Sequence, residues 1–205
     1  MYHDSPYERS TLKILLTDET LPYISEQRAV VDRNRNSRRP IVGIMGAGEA
    51  SSRSLAAAAE LGALVAERGW IVLTGGRPAG IMAAASAGAK QIPNSLTLGI
   101  LPDAQGGVGP DVDIAILTGM GDARNAINVL TSDVVVACGV EGPGTASEVS
   151  LALKAGKPII LLAAAEAART FFQGLGSGNR LMAVDAALDV VKLIENDLAI
   201  SRWNP

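Results

Sequence analysis

From residue 40 onward, short apolar runs alternate along the chain with segments whose apolar residues recur at helical spacing. The runs are PIVGIMG, WIVLTGG, SLTLGILP, VDIAILTGMG, DVVVACG and KPIILLAAA, and each is typical of a buried strand. The helical segments include SSRSLAAAAELGALVAERG, PAGIMAAASAGAK, DARNAINVLTS and a closing AVDAALDVVKLIEN. Because the strands are apolar on both faces and helices separate them, the pattern predicts an α/β fold with a single doubly wound parallel sheet.

Residues 1–39 differ from this pattern and include the polar, Arg-rich stretch VVDRNRNSRRP. We interpret them as an N-terminal extension or linker, and residues 40–205 as one ligand-binding domain. The basic run suits a solvated linker better than a contact with nucleic acid.

The charge, the apolar runs and the cysteine content of the chain argue against several classes of function. The net charge of −3 provides no basic field for nucleic acid, and no run of about 18 uncharged apolar residues predicts a membrane span. The start of the chain does not resemble a secretory signal. One cysteine, Cys138, excludes an internal disulfide and fits a reducing cytoplasm.

The chain has one histidine, His3, which lies next to the N-terminus. This excludes a Ser-His-Asp or Cys-His site in the core and a histidine-rich metal site. Chemistry would therefore depend on carboxylates, Arg, Lys and backbone amides.

Ligands of open α/β sheets bind at the carboxyl ends of the strands, where four glycine-rich turns are predicted here. The first, GIMGAGEASS, contains Gly46 and Gly48 but lacks the G-x-G-x-x-G spacing of dinucleotide sites, so it is either a ligand-approaching turn or a plain connection. The second, TGGRPAGIM, places three glycines where the backbone would approach a ligand, and its helix amides point to the same place. Arg77 would pair with an anion or lie exposed.

The third turn, TGMGDARNAIN, places Arg124 and Asn125 in the first turn of a helix that Asp122 can cap. An arginine at this end of a helix is unfavourable with the helix dipole. We therefore favour a contact between Arg124 and a phosphate or carboxylate over a solvent-facing side chain.

The fourth turn, EGPGTASEVSLALK, has two interpretations. Thr145 and Glu148 form the T-x-x-E pattern of a capping box, which accounts for both residues. The capping box does not account for Gly142-Pro143-Gly144, which brings free amides next to Glu148 and favours a phosphate. Glu148 either caps its helix or faces a ligand.

Taken together, TGGRPAGIM, DARN and GPGTASE resemble the Rossmann-like family that includes the cytokinin-activating nucleoside 5′-monophosphate phosphoribohydrolases, often mislabelled lysine decarboxylases. The P-G-G-x-G-T-x-x-E motif of that family is V-E-G-P-G-T-A-S-E here, from Val140 to Glu148. The resemblance implies that Arg124 and Glu148 are catalytic if the protein is a hydrolase. The lysine that follows the family's arginine is replaced by Asn125.

Within that family, GIMGAGEA, GILP, VDIAILTGMGDARNAIN and GPGTASEVSLALKAGKP are similar to the molybdenum cofactor carrier proteins, over about residues 40–165. This resemblance implies a cytoplasmic homodimer or homotetramer that binds the pterin and phosphate of molybdenum cofactor, protects the cofactor from oxidation and hands it to molybdenum enzymes. The alternative is a nucleoside 5′-monophosphate phosphoribohydrolase.

Both hypotheses predict one anionic small-molecule ligand, with no metal site made by protein side chains. The expected ligand- or phosphate-binding residues are Gly46, Gly48, Thr74, Gly75, Gly76, Gly80, Ile81, Met82, Arg124, Asn125, Gly142, Pro143, Gly144, Thr145 and Glu148.

Overall fold

The computed structural model describes residues 38–175 and 181–200, with side chains described as far as residue 196. The predicted extension over residues 1–39 lies, as far as residue 37, outside these ranges. The described part of the chain contains seven strands: β1 Ile41–Met45, β2 Ile71–Thr74, β3 Leu96–Leu101, β4 Ile114–Leu117, β5 Val134–Cys138, β6 Ile159–Leu162 and β7 Leu181–Val184. Its helices are α1 Ser52–Glu67, α2 Gly80–Lys90, a 3-10 helix Gly121–Arg124, α3 Asn125–Thr131, α4 Pro143–Lys154, α5 Glu166–Leu175 and α6 Ala187–Ile200.

The strands form one parallel sheet in the order β4-β3-β2-β1-β5-β6-β7. The chain builds outward from β1 to β4 on one side and then returns to place β5 directly beside β1. The reversal between β1 and β5 is the topological switch point, where open α/β sheets bind ligands. The predicted doubly wound, Rossmann-like α/β fold is therefore confirmed.

Two apolar layers pack against the faces of the sheet. On one face, Val42 and Ile44 of β1 belong to a buried cluster that includes residues of α1, α2 and α6. On the other face, Met45 belongs to a cluster with residues of α3, α4 and α5. With apolar side chains buried on both faces, the central strands hold the turns at their carboxyl ends in fixed positions.

Four sequence expectations about the strands and helices were wrong. The strand β7 and the helix α5 were missed, and the predicted closing helix included Ala183 and Val184, which belong to β7. All four residues of β7 are only partly buried, so its pattern lacks the contrast of a central strand. Pro78 precedes α2 rather than lying in its first turn, because Ala79 is the N-cap. Gly69 follows α1 with φ +70°, as expected of a helix end.

None of the helices in the described ranges combines the length and apolarity that crossing a membrane requires.

Candidate functional site

A cleft of about 220 Å³ lies at the carboxyl ends of β1, β2 and β5. It is the place that the switch point predicts. The residues that line it are Met45, Gly46, Ala47, Gly48, Gly75, Arg77, Met82, Asp122, Arg124, Asn125, Gly142, Pro143, Gly144, Thr145 and Glu148.

The structure thus brings most of the predicted site residues together around one cleft. Four of them do not line it: Thr74, Gly76, Gly80 and Ile81. Ligand binding by any of these residues stays a prediction.

Those four residues shape the turn between β2 and α2. The Gly76 N–H donates to Thr74 Oγ1 at 3.1 Å. A Cβ at Gly80 would lie 2.1 Å from the Ala47 carbonyl oxygen, and the Ile81 N–H donates to that carbonyl at 3.1 Å. The Ile81 amide, which we expected to point toward the ligand, is therefore already engaged, and these residues hold this turn against the turn that follows β1.

The N-terminus of α4 opens onto the cleft. Gly142 is the N-cap without a side-chain cap, Pro143 is the first helical residue, and the first backbone bond of the helix runs from the Ala146 N–H to the Gly142 carbonyl at 3.1 Å. The amides of Gly144 and Thr145 consequently have no partner within the helix. Free amides at the positive end of a helix dipole favour a phosphate or carboxylate.

Glu148 is not part of a capping box, so that interpretation is wrong. Because α4 begins at Pro143, Thr145 is its third residue and Glu148 its sixth, and the first turn contains no acidic residue. Glu148 instead lines the cleft and is only 5% exposed. Its Oε1 accepts a hydrogen bond from Asn128 Nδ2 at 2.8 Å.

Burial shifts the protonation of Glu148 toward the neutral form. It raises the pKa of the carboxyl above its ordinary value, although the Asn128 bond and the positive charge of Arg124 act in the opposite direction. The closest Arg124 nitrogen, Nη1, lies 3.7 Å from Glu148 Oε1. Glu148 therefore takes up a proton more readily than an exposed glutamate.

Arg124 ends the 3-10 helix and is 8% exposed. A Cβ at Gly75 would lie 2.8 Å from Arg124 Nη1, so the absence of a side chain at Gly75 leaves room for the guanidinium. Burial lowers the pKa of Arg124, as does the neighbouring charge of Arg77, whereas Glu148 and Asp122 raise it. A guanidinium with so little contact with solvent is suited to an anionic ligand.

Asp122 does not cap a helix, contrary to expectation. The N-cap of the 3-10 helix is Met120, neither it nor α3 has a side-chain cap bond, and the Asp122 side chain lines the cleft. Asn125 binds this segment to α4: its Nδ2 donates to Ser147 Oγ at 2.9 Å, and Ser147 Oγ donates to the Gly144 carbonyl at 2.7 Å.

Several buried polar atoms around the cleft have no hydrogen-bond partner among the described residues. They are Arg77 Nε, Arg124 Nε, Asn128 Oδ1 and Thr145 Oγ1. Buried polar atoms in native proteins are nearly always paired. Arg77, Arg124 and Thr145 line the cleft, whereas Asn128 binds the lining residue Glu148, and a fifth unpaired atom, Ser86 Oγ of α2, belongs to a residue outside the lining. The three lining residues favour a polar ligand at the cleft.

Sequence reasoning missed four lining residues: Met45, Ala47, Arg77, whose role had been left open, and Asp122, which had been expected to cap a helix. It also missed Asn128, the partner of Glu148. A signal for Asn128 existed, since it lies four residues after Arg124 and such pairs share one face of a helix. In the described part of the chain, no group of three or more His, Cys, Asp or Glu side chains is placed to hold a metal ion.

A parallel sheet with an anion-favouring cleft at its switch point defines a Rossmann-like ligand-binding protein. The chain belongs to the SLOG cluster4 family, whose model matches residues 39–191.

Solved structures and one curated relative are similar to this chain. The molybdenum cofactor binding protein of the phototrophic bacterium Rippkaea orientalis is 47% identical, with a TM-score of 0.75, over 79% of this chain and 99% of that one. The molybdenum cofactor carrier protein of Chlamydomonas reinhardtii is 44% identical, with a TM-score of 0.73, over 78% and 99%. An uncharacterized protein of Archaeoglobus fulgidus is 40% identical over 121 residues, which are 59% of this chain and 78% of the relative.

Proposed function

We propose that this protein binds molybdenum cofactor, a pterin that bears a phosphate, and acts as its carrier. The observation that carries the proposal is the open N-terminus of α4 beside the buried Arg124, in a chain 44–47% identical to proteins that bind or carry this cofactor. The cofactor is cargo here, and the protein does no chemistry on it.

The phosphate would be bound at the first turn of α4. The amides of Gly144 and Thr145 donate to it, Thr145 Oγ1 gains the partner that it lacks, and Arg124 and Arg77 supply positive charge. A Cβ added at Gly144 would meet no atom within 4 Å, so the space beside this amide is open.

The pterin would lie deeper, between the turns that follow β1 and β2. Gly46, Gly48 and Gly75 let the backbone come close, and Met45 and Met82 provide apolar surface. Glu148 accepts a hydrogen bond from a pterin N–H. The Asn128 bond holds the carboxyl of Glu148 in place for this role.

We further propose a homodimer or homotetramer in the cytoplasm, with molybdenum enzymes as recipients and neither nucleic acid nor membrane as a partner. The edge strand β4 supports an oligomer, because Ile114, Ile116 and Leu117 are 43–53% exposed on it. Apolar edge strands are templates for pairing with another chain. The single, fully buried Cys138 suits a reducing compartment.

Anaerobic titration of the full chain with molybdenum cofactor tests the main proposal. We expect saturable binding by the wild type. For Arg124→Gln we expect an affinity that is lower by about tenfold, because a charge-assisted contact to phosphate is lost. Arg53→Gln is the matched control, since Arg53 is 69% exposed and pairs with Asp185 outside the cleft. Absence of wild-type binding, or equal losses in the two variants, would overturn the proposal.

A second candidate function, N-glycosidic hydrolysis, follows from the buried pairing of Arg124 with Glu148 at 3.7 Å. In this alternative, Glu148 would stabilise the oxocarbenium-like state or act as a base on water, and Arg124 would orient the phosphate. Incubation with AMP and related nucleoside 5′-monophosphates tests it by the release of free base and ribose 5-phosphate. Release that disappears in Glu148→Ala would establish the hydrolase and displace the carrier proposal.

A further inference from the structure

We propose that Glu141 is a resident anion that closes the N-terminus of α1, and that it thereby selects the ligand. The cleft then accepts a ligand that ends in one phosphate and rejects the same ligand extended through a pyrophosphate. This inference rests on the proposed phosphate site at α4 and adds to it a residue that determines specificity.

The first support is the set of hydrogen bonds that Glu141 accepts from the start of α1. The Ser51 N–H donates to Oε2 at 2.8 Å, and the hydroxyls of Ser51 and Ser54 both donate to Oε1 at 2.8 Å. Ser51 is the N-cap of α1. These are the donors that a bound phosphate would use at a helix N-terminus, and a carboxylate 90 residues further along the chain already occupies them.

These hydrogen bonds also keep Glu141 charged. The backbone bond from Ser51, followed by the bonds from Ser54 Oγ and Ser51 Oγ, lowers the pKa of the carboxyl below its ordinary value. A carboxylate that keeps its charge to lower pH than an ordinary glutamate therefore stands at the positive end of the α1 dipole.

The second support is the backbone that delivers Glu141. Gly139 has φ +75° and Val140 has φ +55°, so two consecutive residues are left-handed between the end of β5 and Glu141. A β-branched residue in this region is unusual and persists only where the surrounding structure imposes it. The conformation turns the chain so that the Glu141 side chain reaches α1.

The third support is that the turns leading into the two helices lie against each other. β1 and β5 are neighbouring strands, Gly48 and Gly142 both line the cleft, and a Cβ at Gly142 would lie 3.6 Å from Ala47 Cβ. A second phosphate attached to one that is bound at α4 would therefore reach toward the start of α1.

The turn after β1 also departs from the dinucleotide pattern at this point. Gly46 and Gly48 correspond to the first two glycines of G-x-G-x-x-G, and Ser51 occupies the position of the third. In dinucleotide-binding folds, the pyrophosphate sits at the N-terminus of this first helix. Here the amide and hydroxyl of Ser51 bind Glu141, so a second phosphate at this helix start would meet a carboxylate.

Calorimetric titration of the full chain with inorganic phosphate and with inorganic pyrophosphate tests the inference. The variants are Glu141→Ala, which removes the side chain, and Glu141→Gln, which removes the charge and keeps one of the two acceptor oxygens. Glu49→Ala is the matched control, because Glu49 belongs to the turn after β1 and, like Glu141, does not line the cleft, but it accepts no hydrogen bond from Ser51 or Ser54. Thermal unfolding of each variant checks that it is folded.

We expect the ratio of pyrophosphate to phosphate affinity to rise about tenfold in Glu141→Ala, and in the same direction in Glu141→Gln, because a fixed negative charge leaves a helix N-terminus. The ratio should not change in Glu49→Ala. An unchanged ratio in both Glu141 variants, with phosphate binding intact, would overturn this inference and leave the proposed function standing. If neither the wild type nor any variant binds phosphate, the proposed phosphate site fails, and this inference fails with it.

Discussion

The helices α1 and α4 begin at the ends of the neighbouring strands β1 and β5, and their N-termini differ in one respect. Both carry the partial positive charge of a helix dipole. At α1, Ser51 and Glu141 supply hydroxyl and carboxylate partners to the first turn. At α4, the N-cap is Gly142 and the first turn has no side-chain cap.

This difference suggests why two helix N-termini in one fold are not equally suited to bind an anion. A helix N-terminus favours a ligand only where the chain has not already provided an anion or a cap. The pKa values of the two glutamates near these helices also differ, and they shift in opposite directions. Hydrogen bonds lower the pKa of Glu141, whereas burial raises the pKa of Glu148.

The most direct test of this comparison is to place a negative charge at the N-terminus of α4, as Glu141 does at α1. In Gly142→Asp, a carboxylate would take the N-cap position. We expect phosphate affinity to fall by about a hundredfold, because the first-turn amides gain an internal partner and the ligand meets a like charge. Stability should hold or rise by a few tenths of a kcal/mol, since Asp caps helices slightly better than Gly. Phosphate titration and thermal unfolding measure the two effects.

Gly142→Ala is the control for this substitution. The position has φ −152°, and the nearest atom to an added Cβ is Ala47 Cβ at 3.6 Å, so a methyl group fits. It adds no charge and no cap, and affinity should change little. An equal loss in Gly142→Ala and Gly142→Asp would mean that space rather than charge governs the site.

The second prediction concerns the hydrogen bonds that the Ser51 side chain makes at the N-terminus of α1. In Ser51→Ala, the hydroxyl that donates to Glu141 and accepts from the Ser54 N–H is lost. We expect a loss of about 1 kcal/mol in the free energy of unfolding, the usual cost of removing an N-cap. In a chain of this size, that loss lowers the melting temperature by roughly 2–4 °C.

The control for Ser51→Ala is Ser150→Ala in α4. Ser150 is exposed and its hydroxyl only donates back to the Ala146 carbonyl, so its removal should leave the melting temperature almost unchanged. Equal melting temperatures for wild type and Ser51→Ala would mean that Glu141 and Ser54 close α1 without the cap.

The fold could be predicted from the sequence because its central strands are apolar on both faces. Such runs stand out even without knowledge of their neighbours. The edge strand β7 does not: it has four residues, all partly buried, and its last two were assigned to the helix that follows. The start of α4 was predictable as well, since proline is common at the first helical position. The T-x-x-E pattern competed with this signal and left two roles open for Glu148, of which the structure rules out the capping box.

The site was predictable as far as its turns. Glycines after strands identified where a ligand would sit, but not which amides are free, because the bond from Ile81 to the Ala47 carbonyl depends on how two turns pack. The pairs Asn128–Glu148 and Ser51–Glu141 are separated by 20 and 90 residues, respectively. Neither contact follows from the sequence alone, because the packing of α3 on α4 makes the first and the pairing of β1 with β5 makes the second.

The smallest expected effect concerns the opposite pKa shifts of the two glutamates. Glu148 has a raised pKa in the folded protein, so below its ordinary value of 4.5 both folded and unfolded states are protonated and the shift has no effect. As the pH rises through this value, the unfolded state ionises first, and wild type should lose stability relative to Glu148→Gln. The loss should be complete above the folded-state pKa.

Glu141 should behave in reverse: its contribution relative to Glu141→Gln is present above its ordinary value, also 4.5, and is lost as the pH falls through its lower folded-state pKa. Denaturant unfolding of the three proteins between pH 3 and 8 measures both trends, and slopes of the same sign would contradict the contrast between the open and the closed helix end.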